Sequence, residues 1–122
     1  MAEDIRLSPD GTHIIVSSLG SPSLGEMTQT LSKLAQIRFE RGIDKVLVDS
    51  RARSGQPSAV DIYRGGELLA RTLGPGIRIV VLVGQIEGGH SLFENVAVNR
   101  GATVAFFQHE QTALNWLLKN EP

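Results

Sequence analysis

The stretch from Phe93 to Leu118, FENVAVNRGATVAFFQHEQTALNWLL, restricts the possible folds more than any other part of the chain. It reads as a helix stopped at Arg100-Gly101, a short apolar strand over Thr103–Gln108, and a closing helix over Glu110–Lys119. In that last helix Ala113, Leu114, Leu117 and Leu118 share an inward face, with Trp116 at the flank. A strand held between two helices belongs to a sheet with parallel strands, because parallel neighbours need a crossover that a helix supplies.

The same alternation runs upstream. Ile5 and Leu7 alternate with polar residues, Pro9-Asp10-Gly11 is a turn, and Thr12–Leu19 (THIIVSSL) completes a hairpin. Ser23 and Glu26 form a capping box that opens a helix with Met27, Leu31, Leu34, Ala35 and Phe39 on its apolar side, closed by Gly42. Lys45–Asp49 (KVLVD) lacks polar alternation, as expected of a strand covered on both faces. A second helix opens at Pro57-Ser58, with Asp61 completing a possible box, and lines up Ile62, Gly66, Leu69 and Leu73 before Gly74-Pro75-Gly76 ends it. Gly65-Gly66 inside this helix costs about 1 kcal/mol per glycine relative to alanine, so a close backbone approach or a local break is expected there. Arg78–Val83 (RIVVLV) predicts a central strand, and Ser91 with Glu94 predicts the cap of a helix running to about Asn99. The predicted order is β-β-α-β-α-β-α-β-α. It specifies an α/β fold, a mainly parallel five-stranded sheet with an N-terminal β-hairpin and four flanking helices, in one domain over residues 1–122.

Composition restricts function more than it reveals it. Twelve basic and thirteen acidic residues are interspersed, for a net charge of −1, so no basic footprint for nucleic acid or an anionic membrane is present. The absence of cysteine excludes disulfides, thiol nucleophiles and thiolate metal sites. The polar start MAEDIRLSPDG reads as neither a signal nor a transit peptide, and no apolar run reaches membrane-span length, so a cytoplasmic location is expected.

KVLVDSR at 45–51, Tyr63 in the second helix, FENVAVNRG at 93–101 and QTALNWLL at 111–118 together resemble the STAS-like/CRAL-TRIO-like family described as SpoIIAA-like. The order of elements is similar to the STAS fold of anti-sigma-factor antagonists, and the resemblance spans roughly Thr12 to Leu118. It implies the same sheet and four helices, and no shared enzymatic chemistry. Antagonist STAS proteins carry a phosphorylatable Ser or Thr in a D-S-S/T-G-like motif after the third strand. This chain has Asp49-Ser50-Arg51-Ala52-Arg53-Ser54-Gly55-Gln56-Pro57-Ser58 there, so Ser54 and Ser58 are phosphosite candidates by position alone, and Ser58 reads more simply as a cap.

Motifs that carry chemistry are missing. Neither a P-loop nor G-x-G-x-x-G occurs, and the Gly20–Gly25 turn lacks the spacing of a nucleophile elbow. His13, His90 and His109 fall in separate elements without ligand spacing, so no metal or cofactor is expected. His13 is expected on a strand surface and His109 at the cap of the last helix, while Arg100 is assigned to the C-terminus of its helix. Ligands of open parallel sheets bind beyond the strand carboxyl ends, where connections diverge. The loops there are Leu19–Ser23, Ser50–Pro57 and Gly84–His90, and the candidate ligand-binding residues are Arg51, Arg53, Ser54, Gly84, Gln85 and His90. Helix N-termini and guanidinium groups make an anion the natural small ligand.

The expected function is a non-catalytic binding or regulatory module, acting through a protein partner or a small anionic ligand at those loops. The alternative is a small enzyme with His90 paired to Asp49 or Glu87 as acid–base groups. A lipid-binding role, suggested by the CRAL-TRIO side of the resemblance, meets a chain short for both a core and an acyl cavity. A homodimer through a helix face or the hairpin edge is a further expectation.

Overall fold

The strands alternate so regularly that two separate cores form, one on each face of a single sheet. The computed structural model describes residues 3–20, 23–53 and 58–119. Their order is β1 (Glu3–Leu7), β2 (Ile14–Gly20), α1 (Leu24–Arg41), β3 (Lys45–Arg53), α2 (Ala59–Leu73), β4 (Arg78–Leu82), α3 (Gly88–Asn99), β5 (Thr103–Phe107) and α4 (Glu110–Leu118). The five strands lie side by side in chain order, β1 antiparallel to β2 and every later pair parallel. This is the α/β architecture expected from the sequence.

Chain-order pairing has a consequence for the helices. Each right-handed crossover in a sheet that grows in one direction places its helix on the same side. Hence α1, α2 and α3 share one face, over Ile14, Val16, Val46, Ile79, Val81 and Val104. Among the described residues α4 is not a crossover between two strands of the sheet, so this rule does not bind it. It folds onto the opposite face, where Ala113 and Leu117 cover Leu47, Val80 and Leu82. At nine residues it lies chiefly over β3, β4 and β5, with Ile15 of β2 at the margin of the cluster it covers. Among the described residues, no helix of comparable extent lies over the β1–β2 half of that face.

Local chemistry sets most boundaries. Ser23 and Glu26 exchange the two bonds of a capping box, and Gly42 ends α1 at φ +70° with its amide on the Arg38 carbonyl. Ser58 Oγ accepts from the Asp61 amide to open α2. The paired glycines do not break α2. A Cβ on Gly66 would lie 3.0 Å from the Val96 side chain and 3.1 Å from the Phe93 carbonyl oxygen, so their cost is offset by close packing of α2 on α3.

Several expectations are corrected. Phe39 is 90% exposed, because the α1 face that meets the core is carried by Leu31 and Leu34 instead. Leu118, the last residue of α4, is likewise exposed. His13 is buried, with its amide on Ser8 Oγ and its Nδ1 at 2.8 Å from Thr12 Oγ1. α3 starts at Gly88, not at Ser91, and β3 continues to Arg53 rather than becoming a loop at Ser50. Arg100 leaves its own helix end to bond Tyr63 Oη at 2.7 Å and Glu67 at 3.2 Å on α2.

Candidate functional site

The extension of β3 decides where the candidate arginines sit. Past a bulge between Ser17 and Leu19 of β2, pairing resumes as Leu19↔Ala52 and Gly20↔Arg53. Arg51 is therefore a strand residue on the same face as Asp49 and α4. Its Nε and Nη2 donate to the two Asp49 carboxylate oxygens at 2.9 and 2.8 Å, and its backbone amide adds a third bond to Oδ1. Glu110 at the start of α4 stands 3.7 Å from the same guanidinium. The bonds from Arg51 hold the Asp49 carboxyl below its ordinary range.

Beside this pair, the helix-free half of the sheet holds an open depression of about 390 Å3, lined by Asp4, Ser17, Ser18, Leu19, Asp49, Arg51 and Ala52. Leu19 is 55% exposed there. Ser18 Oγ turns the other way and donates to Glu3, which also accepts from Thr30 of α1. Ser50 is buried close to the bulge with its Oγ unpartnered among the described residues.

His90 belongs to a different place. It lies in the first turn of α3, where its Nδ1 accepts the Glu87 amide at 3.0 Å, and its ring stacks on Phe106 with centroids 4.9 Å apart. Accepting at Nδ1 requires the neutral ring with its proton on Nε2. Burial pushes its pKa down; the Glu87 charge works against that shift and Arg53 adds to it. Phe106 packs in the three-helix core, whereas Asp49 and Arg51 lie on the α4 side. The sheet thus separates His90 from Asp49, so the Asp49 version of the acid–base pair is not assembled. Glu87 and His90 form a reciprocal box, the Glu87 amide donating to His90 Nδ1 and the Glu87 side chain accepting from the His90 amide. The imidazole acts as a helix cap, which is why the helix begins ahead of Ser91.

Gly84 and Gln85 form an exposed turn after β4, tied to the β5–α4 connection where Gln108 Oε1 accepts the Ile86 amide at 2.9 Å. Ser54 lies outside the described residues, and Ser58 is engaged as the α2 cap. Of the candidates, Arg53 and His90 share a neighbourhood, Arg51 sits across the sheet from them, and the expected crevice lacks its geometric basis. Strand order never reverses, so no two crossovers diverge. Leu19, Ser17, Asp4 and Glu110 were not signalled by motif. Only the exposed leucine at the end of an otherwise buried strand pattern could have drawn attention. Among the described residues no group of three or more His, Asp or Glu is placed to hold a metal ion, and no helix is long and apolar enough to cross a membrane.

No family model matches the sequence, and none of the curated proteins matches it. Among solved structures, the chain is similar to an uncharacterised protein of the DUF3478 family with a SpoIIAA-like fold from Shewanella loihica PV-4. The TM-score is 0.63 at 20% identity, over 95% of this chain and 92% of that one. The fold is SpoIIAA-like. At that identity the likeness establishes the architecture and leaves function to the site itself.

Proposed function

We propose that this protein is a non-catalytic binding module whose partner is another protein, docking on the helix-free half of the α4 face around Leu19, Asp49 and Arg51. The observation that carries this reading is the state of Arg51. Its guanidinium faces Asp49 at 2.8 Å and Glu110 at 3.7 Å, so its charge is already balanced and offers little to a free phosphate-like anion. Around it lie an exposed leucine, the Ser17 hydroxyl and carboxylates of β1 and β3, a mixed apolar and polar surface of the kind protein interfaces use. The engagement of His90 as a cap and of Asp49 by Arg51 supports the non-catalytic half of the reading.

The test is affinity capture from the native host with wild-type, Leu19→Asp and Phe39→Asp baits. Leu19 and Phe39 are both exposed, so neither change should unfold the chain. The reading requires a partner that is retained by wild type and Phe39→Asp and lost by Leu19→Asp. A thermal shift with inorganic phosphate that disappears in Arg51→Ala, together with a capture pattern indifferent to Leu19, would replace the protein partner with an anion.

A further inference from the structure

The β1 edge is open among the described residues, and its five residues, Glu3-Asp4-Ile5-Arg6-Leu7, have a two-fold charge pattern about Ile5. We infer that β1 pairs antiparallel with β1 of a second copy of this chain, with the two-fold axis at Ile5, to form a continuous ten-stranded sheet.

The phase of the β1–β2 ladder decides which groups are available. The Ser8 amide donates to the His13 carbonyl at 2.9 Å, and the register pairs Arg6 with Ile15 and Asp4 with Ser17. Hydrogen-bonded pairs alternate along an antiparallel ladder. Asp4 and Arg6 therefore spend their backbone groups on β2, while Glu3, Ile5 and Leu7 turn theirs outward. In a pair centred on Ile5, Ile5 meets its own copy and Glu3 meets Leu7, which supplies about six new backbone hydrogen bonds. The intervening positions are non-hydrogen-bonded, where side chains approach most closely, and they set Asp4 of each copy opposite Arg6 of the other. Within one chain these side chains are 3.6 Å apart and still 74% and 56% exposed, so both can reach across.

The opposite edge does not fit as well. The Val83 amide donates to the Phe107 carbonyl, so only Val104 and Phe106 turn their backbone groups outward from β5, and Thr103–Phe107 carries no charge to fix a register. Pairing at β1 also joins the two helix-free half-faces, so that the depressions beside Leu19 open onto one trough walled by the two α4 helices.

The experiment is sedimentation equilibrium of the full chain and its charge variants. Wild type is expected to dimerise at about 100 μM, and Asp4→Arg or Arg6→Asp alone to weaken this about 10- to 100-fold, since each converts both cross-strand pairs to like charges. A one-to-one mixture of the two single variants should restore the dimer, because every opposed pair is again of opposite sign, and so should the double variant Asp4→Arg/Arg6→Asp. The chain has no cysteine, so Ile5→Cys provides a second reading. Its Cα atoms would lie about 5.5 Å apart, within disulfide range, and mild oxidation should cross-link it, whereas Ala105→Cys, on the far edge, should form no disulfide dimer. Wild type that remains monomeric at about 500 μM, a dimer unmoved by the single reversals, or cross-linking through Ala105→Cys in place of Ile5→Cys overturns the assignment.

Discussion

The two faces of the sheet are built from the same alternating strands and end in different states. On one face three helices cover an unbroken apolar layer from Ile14 to Val104. On the other, among the described residues, a single nine-residue helix covers Leu47, Val80 and Leu82, with Ile15 of β2 at its margin and most of β1 and β2 left uncovered. The difference follows from connectivity. Crossover handedness obliges α1, α2 and α3 to fill one side, whereas the other side is covered, among the described residues, by α4 alone. The side chains record it: at the helix-free end the strands carry Asp4, Arg6, Ser17, Asp49 and Arg51 where the covered face carries valine and isoleucine. One face is committed to stability, and the other is available for contact.

Deleting one side chain of similar size from each face should separate them most clearly. Ile79→Ala, in the three-helix core, is expected to lower stability by about 3–4 kcal/mol, and Ile15→Ala, on the partly covered face of β2, by about 1–2 kcal/mol. Urea denaturation measures both. Equal losses would mean that the second face is as tightly closed as the first.

A smaller effect tests the helical layer that only the first face possesses. Gly66→Leu must displace Val96 and the α3 backbone at Phe93, and should cost about 2–3 kcal/mol, a loss visible as a lower thermal midpoint. If the midpoint is unchanged, α2 and α3 are not in the close contact described, and the glycines need another explanation.

The smallest effect is a pH dependence just below neutrality that arises on the three-helix side and at the hairpin turn. Burial lowers the pKa of both His90 and His13 below the ordinary 6.5. The unfolded chain therefore takes up protons first as pH falls. Stability should be level above about pH 6.5 and decline below it, toward the lower folded-state values. Replacing His90 with Gln should remove part of that decline while leaving the Asp49–Arg51 face unaffected. A decline of unchanged size in His90→Gln would show that the ring is not held neutral by its cap.

Much of the fold was legible because its signals are local. The Ser23–Glu26 box, the Gly42 stop, the Pro9-Asp10-Gly11 turn and the run RIVVLV each act within a few residues, and each marks its element correctly. What was not legible depends on distant partners. Ser50–Arg53 reads as a loop by composition and becomes strand because β2 re-registers past a bulge to pair with it. The α3 cap was hidden because it uses an imidazole as acceptor rather than a serine. Helical periodicity in α4 marks an apolar side without saying which sheet face receives it, and so the half-open face, where the candidate site lies, had no signature in the sequence.

The most direct measurement is covalent footprinting of the chain, free and in complex with the protein it captures, read at exposed side chains on both faces. Protection on binding is expected to fall on Leu19 and the Asp49–Ala52 segment, with Phe39 on α1 and Tyr63 on α2 labelled as in the free protein. Protection confined to Phe39 or Tyr63, with Leu19 still fully labelled, would contradict that expectation and move the binding surface to the helical side.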